Sequence, residues 1–175
     1  MNIVFLIYKS LRLYIRKLKS EFYTFKAKQQ VVHYGKNTYC GGPCSFCGTV
    51  SLGDNCNFNG MKIIGLGSVM IGNNFHSGIE CMIITSNHDY DTDICIPYGD
   101  NVIKKKIIIE DNVWFGNRVL ITGNVTIGEG AIIGAGTVVT KNIPKYAIVG
   151  GNPAKILKYR NIDHYLELKN NKMFH

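Results

Sequence analysis

Large apolar residues recur every sixth position through the second half of the chain: Ile109, Phe115, Ile121, Ile127, Ile133 and Val139. With 46% of the residues apolar, six consecutive hits arise by chance about once in a hundred trials. Two positions before each later hit stand Val113, Val119, Val125, Ala131 and Thr137, all small or β-branched. The position after the hit is Gly116, Thr122, Gly128, Gly134 and Thr140 in turn. Cys40, Phe46, Leu52, Phe58 and Ile64 carry the frame through the first half, with Cys44, Val50 and Cys56 two before. After a one-residue slip come Ile71, Ser77 and Ile83, preceded by Val69, Phe75 and Cys81.

A period of six suits neither a helix nor a strand meander. It suits a short strand and a tight turn, repeated so that three strands form one triangular coil of about eighteen residues. Large aliphatics point inward and stack coil on coil, and small β-branched residues fill the space beside them. Asn55, Asn74, Asn112 and Asn124 are expected at turns, where asparagine tolerates a left-handed backbone. The expectation is an all-β solenoid over 40–160, broken once by a loop insertion at 85–107. Residues 1–39 form an N-terminal helical or capping segment, and 161–175 a short helix or tail. Nineteen glycines against four prolines, with no Gly-X-Y period, exclude collagen. One domain of 175 residues carries this without difficulty.

The net charge is +8, which points to an anionic partner. Lys9, Arg12, Arg16, Lys17, Lys19, Lys26 and Lys28 face only Glu21 in the first 28 residues. A second cluster comprises Lys141, Lys145, Lys155, Lys158 and Arg160. Neither has the aromatic interleaving of an RNA-binding sheet or a zinc-finger spacing, so no nucleic-acid partner is expected. Val4, Ile7, Leu11, Tyr14, Leu18, Phe22 and Phe25 recur at threes and fours, predicting an amphipathic helix over about 3–26. It either caps the end of the solenoid or docks on an anionic membrane. The apolar run 3–8 is too short to span a bilayer and lacks the flanks of a signal peptide. A cytoplasmic chain with reduced cysteines is expected, peripheral to the inner face of the membrane if the helix docks there. Cys40, Cys44 and Cys47 are spaced like metal ligands, but most of the cysteines fall on inward positions of the frame and no fourth ligand follows at zinc-ribbon spacing. No metal is expected.

The sequence resembles the hexapeptide-repeat acyltransferases, in the branch of maltose, galactoside and xenobiotic O-acetyltransferases. The resemblance runs from about Leu52 to Arg160. It rests on Ile83-Ile84-Thr85-Ser86-Asn87-His88, Ile109-Glu110-Asp111-Asn112-Val113-Trp114-Phe115-Gly116, Gly134-Ala135-Gly136-Thr137-Val138-Val139-Thr140-Lys141 and Gly150-Gly151-Asn152-Pro153-Ala154-Lys155. It implies a left-handed parallel β-helix, acetyl-CoA as acyl donor, a hydroxylated, sugar-like acceptor such as a surface-polysaccharide precursor, and a homotrimer with sites between subunits.

By the same resemblance His88 is the catalytic base, and imidazole suits removal of a hydroxyl proton near neutral pH. Asp89, Asp91 or Asp93 can orient it. Asn59 matches a position near the acceptor. Trp114, the one tryptophan, is expected against pantetheine or a neighbouring subunit. Gly134, Ala135 and Gly136 leave a bare edge for pantetheine, and Thr140, Lys141, Lys155 and Arg160 stand ready for the phosphates of coenzyme A. Where the family usually carries Pro-Gly, this chain has Gly123-Asn124, and its N-terminal segment does not look like the acceptor-shaping region of the maltose enzymes. The alternatives are N-acylation of an amino sugar or antibiotic, and a non-catalytic scaffold. A γ-type carbonic anhydrase would need three histidines on one zinc, and only His76 and His88 lie within the coils.

Overall fold

The inward side chains spaced by six fold into three stacked columns, one on each face of a parallel β-helix of roughly six coils. A computed structural model describes residues 3–92 and 94–175. On the first face Cys40 lies level with Phe58, Ser77 with Phe115, and Phe115, Ile133 and Val149 follow in register. The second column is Phe46, Ile63, Ile83, Ile121 and Val139. The third is Leu52, Ile71, Ile109, Ile127 and Ile143. Each strand is only a few residues long, so its burial comes from the coils above and below rather than from a second sheet. Phe46, Phe58, Phe75 and Phe115 pack ring to ring along the axis, with centroids 5.0 to 5.4 Å apart.

The frame holds with two corrections. Ile64 is 38% exposed, and Ile63 is the buried residue of that strand. The slip occurs earlier than expected, around Gly60 at φ +94°, where the first-face strands also lose register. Asn55, Asn74 and Asn112 do adopt left-handed backbone at φ 54° to 60°. At the fourth site Gly123 takes the positive φ instead, and the Asn124 side chain accepts a hydrogen bond from Lys106 N at 2.8 Å.

The three left-handed asparagines stack into a ladder. Asn55 Nδ2 donates to Asn74 Oδ1 at 3.0 Å, and Asn74 Nδ2 to Asn112 Oδ1 at 2.8 Å. Asn112 Nδ2 then donates to the Tyr165 hydroxyl at 2.8 Å. Tyr165 belongs to α2 (Ile162–Asn170), which starts at an Asn161 cap accepting from His164 N. The ladder thus straps the C-terminal helix along one corner of the solenoid.

The N-terminal helix α1 (Ile3–Lys28) is attached at its C-terminal third. Of its side chains only Ser20 and Ala27 are buried, and Thr24 Oγ1 accepts from Cys40 N at 2.9 Å. The helix therefore attaches through a face of small and polar residues with Tyr23 beside them, and not through the apolar stripe. Cys40, Cys56 and Cys81 are buried as the frame requires, Cys44 is half-buried, and Cys47 and Cys95 are exposed.

Candidate functional site

His88 is carried by a hairpin that leaves the solenoid at the corner between its second and third faces. The second-face strand ends at Ile84, and the buried Thr85 fixes the exit: its hydroxyl donates to Ile64 O at 2.9 Å and accepts from Gly67 N at 3.1 Å. Strand Ser86–His88 then pairs antiparallel with Val102–Lys104, placing His88 opposite Val102. Across the loop Asp89 N donates to Asn101 O at 3.0 Å and Gly99 N to Asp89 O at 2.9 Å. Lys105 N returns to Thr85 O at 2.7 Å. The insertion is therefore a braced hairpin rather than an open loop.

The His88 ring is solvent-exposed and lies flat against Tyr98. Among the described residues no carboxylate contacts it. The Asp89 carboxylate is turned to its own loop, accepting from Asp91 N at 3.2 Å. Asp91 is exposed, and Asp93 lies outside the described residues. Neither imidazole nitrogen has a hydrogen-bond partner among the described residues, so one can accept and the other donate.

Thr140 and Lys141 share this corner. Ile121 is level with Val139 while Thr122 is level with Ile84, so both residues lie beneath the hairpin root and are exposed. Lys105 Nζ reaches Thr122 Oγ1 between them at 3.4 Å.

The corner between the first and second faces is the glycine edge. A β-carbon on Gly116 would meet Ala135 N at 2.6 Å, so successive coils touch backbone to backbone there. Gly136, at φ +70°, has nothing within 4 Å of where a β-carbon would stand. Ala154 N bonds Val138 O at 2.8 Å and Val138 N bonds Gly151 O at 3.0 Å. These close the final antiparallel hairpin, strands Ala147–Gly150 and Lys155–Tyr159, onto the edge and bring Lys155 to it. Asn59 sits on the same corner, its side chain donating to Ser77 O at 3.0 Å.

Two expected residues lie elsewhere. Trp114, 52% exposed, is on the first face. Arg160 is at the third corner, its guanidinium donating to Gly130 O at 3.1 Å and packed over the Tyr165 ring. The fork expected to hold phosphate is thus engaged within the chain. Both line a cavity of about 510 Å³ beneath α2, with His76, Asn112, Tyr165 and His175.

Inside that cavity burial, and then the neighbouring His175, hold the His76 pKa below the usual histidine value. Burial pushes the Tyr165 hydroxyl well above its ordinary range. Burial opposes ionisation of the adjacent Glu129, but hydrogen bonds from Lys169 and Tyr165 outweigh it and its pKa falls. The sequence showed His76 only as a histidine within the coils; the tail covering it had no repeat to announce it. A second cleft of about 700 Å³ runs between α1 and the rim at Thr38 and Tyr39, with Arg16, Lys17 and Lys28 on its walls. No three His, Cys, Asp or Glu side chains are grouped to hold a metal ion among the described residues.

Residues 106–141 match the model for the bacterial transferase hexapeptide, six repeats. A putative acetyltransferase of Schizosaccharomyces pombe is 34% identical over 130 residues, 73% of this chain and 52% of the relative. The chain spans about half or less of the length of the curated relatives it matches. A hexapeptide-repeat acetyltransferase of Vibrio cholerae, solved with acetyl coenzyme A, is 31% identical with a TM-score of 0.65, covering 75% of this chain and 73% of that one. A galactoside acetyltransferase in complex with coenzyme A is 28% identical with a TM-score of 0.67, covering 79% and 70%.

Proposed function

Because the chain belongs to the hexapeptide-repeat acyltransferases, we propose that it moves an acyl group from coenzyme A to an acceptor hydroxyl, with His88 as general base. The observation that carries this reading is the placement of His88: an open imidazole on a braced hairpin, held by a ring and not by a neutralising carboxylate. Acetyl as the transferred group is supported by the acetyl coenzyme A bound to the Vibrio cholerae relative.

In the proposed step an imidazole nitrogen takes the proton of the acceptor hydroxyl. The oxygen attacks the thioester carbonyl, a backbone amide holds the oxyanion, and the C–S bond breaks. The imidazolium returns its proton to the departing thiolate, leaving an ester and free coenzyme A. A sugar-like hydroxyl, as on a surface-polysaccharide precursor, is the acceptor class we assign. The Gly134–Gly136 edge, open at Gly136, takes pantetheine, with Lys155 beside it, while Thr140 and Lys141 lie on the next corner. A homotrimer would set one subunit's hairpin against the glycine edge of the next and so unite the two corners.

The test is thiol release from acetyl-CoA against a panel of sugars, nucleotide sugars and amine acceptors. Acceptor-dependent release should fall by about 10²- to 10⁴-fold in His88→Ala. Retention of the rate within a few-fold would remove His88 from the chemistry, and turnover confined to amines would redirect the reading to N-acylation.

A further inference from the structure

The helix α1 wears its apolar stripe on the side away from the protein. With Ser20, Thr24 and Ala27 on the solenoid, a turn of about 100° per residue sends Ile7, Leu11, Tyr14, Ile15, Leu18, Phe22 and Phe25 to the opposite side. All seven are between 43% and 62% exposed. A soluble helix buries its stripe against the core; here the small polar face is buried instead. Lys9, Arg12, Arg16 and Lys19 flank the attached side, and Glu21 is the one acid of the helix.

We propose that α1 is an interfacial membrane anchor that lies flat on an anionic lipid surface and holds the solenoid above it. The stripe enters the acyl boundary, while the basic side chains reach up past it to lipid phosphates. At 26 residues the helix is about 39 Å long, yet no described helix is long and apolar enough to cross a membrane. An amphipathic helix of this kind lies in the interface without spanning it. Attachment through Ser20, Tyr23, Thr24 and Ala27 leaves the stripe and the solenoid on opposite sides of the helix axis, which a flat orientation requires. The basic flanks favour a lipid surface of opposite charge over a purely apolar partner. This anchoring stands independently of the acyl-transfer reading.

The full chain should float with phosphatidylcholine vesicles containing one quarter phosphatidylglycerol, and much less with phosphatidylcholine alone. The variant Ile7→Glu, Leu11→Glu, Leu18→Glu changes exposed positions only, so its circular dichroism and melting should match the parent. It should lose vesicle binding by a hundredfold or more, by the transfer free energy of three buried apolar side chains. Arg12→Glu with Lys19→Glu should weaken binding to the anionic vesicles about tenfold or more. Absence of binding to either vesicle would overturn the proposal. So would a triple variant that binds as the parent does, or one that dissociates an oligomer in a chain that never floats, since the stripe would then be an interface between copies.

Discussion

The imidazole of His88 and the phenol ring of Tyr98 lie stacked, with centroids 4.1 Å apart and planes 18° from parallel. Nine residues separate them in sequence, and the hydrogen bonds from Asp89 N to Asn101 O and from Gly99 N to Asp89 O bring them together. Tyr98 is therefore a positioning residue for the proposed base. Stacked aromatic pairs contribute about 0.5–1.5 kcal/mol, so Tyr98→Ala should lower kcat by up to about tenfold with little change in KM for acetyl-CoA. Tyr98→Phe keeps the ring and should restore the rate. An equal loss in both variants would mean the hydroxyl matters and the stacking does not.

The cavity under α2 should loosen on acidification. His76 has a folded pKa below its ordinary 6.5, so the folded chain binds fewer protons there than the unfolded one. Stability then rises with pH through this window: it is complete above about pH 6.5 and declines below it. Arg160, Lys169 and His175 also line the cavity, and the one carboxylate named beside it, Glu129, is already engaged by Lys169 and Tyr165. Trp114 emission should shift to the red between pH 7.5 and 5.5, and His76→Gln should flatten that change. An unchanged titration in the variant would assign the transition to another group.

Ser77 occupies a core position of the first face with a hydroxyl that has no hydrogen-bond partner among the described residues. Burying an unpaired hydroxyl costs about 1–3 kcal/mol. Ser77→Ala should raise stability by about 1 kcal/mol in urea unfolding, because the lost hydroxyl volume is small. A loss of stability would show that the hydroxyl is paired in solution.

Asn112 combines two duties, a left-handed turn at φ 60° and a ladder bond to Tyr165. Asn112→Ala should cost about 2–4 kcal/mol, the sum of backbone strain and broken hydrogen bonds. Asn112→Gly relieves the strain alone and should cost roughly half as much. Protection of α2 amides in hydrogen exchange should fall in both. Equal costs would place the whole effect in the ladder.

The coils were legible in the sequence because a solenoid writes its own period: every inward residue from Ile109 to Val139 is buried as the spacing demands. Where a glycine relaxes the backbone, as at Gly60, the strand shifts by one and Ile64 changes places with Ile63. The motif singles out His88 as a candidate base, but not the ring it stacks on. A stacking tyrosine ten residues away leaves no pattern, whereas the three nearby aspartates drew attention. The contacts of Arg160 leave no trace in the sequence, because charge alone says nothing of what a guanidinium touches and Gly130 and Tyr165 are far off along the chain. The α1 stripe was read correctly as a stripe. Only the tertiary attachment at Ser20, Thr24 and Ala27 shows which way it faces.

Thr85 and Lys105 close the neck of the His88 hairpin by a direct backbone bond, and on the third face Ile71 and Ile109 sit level as if nothing intervened. The solenoid core therefore neither senses the insertion nor depends on its length; closing a longer loop costs only about 0.6 kcal/mol per doubling. The segment between Asp89 and Asn101 is in effect an exchangeable cassette. Its residues can be exchanged by grafting while the coils keep their register.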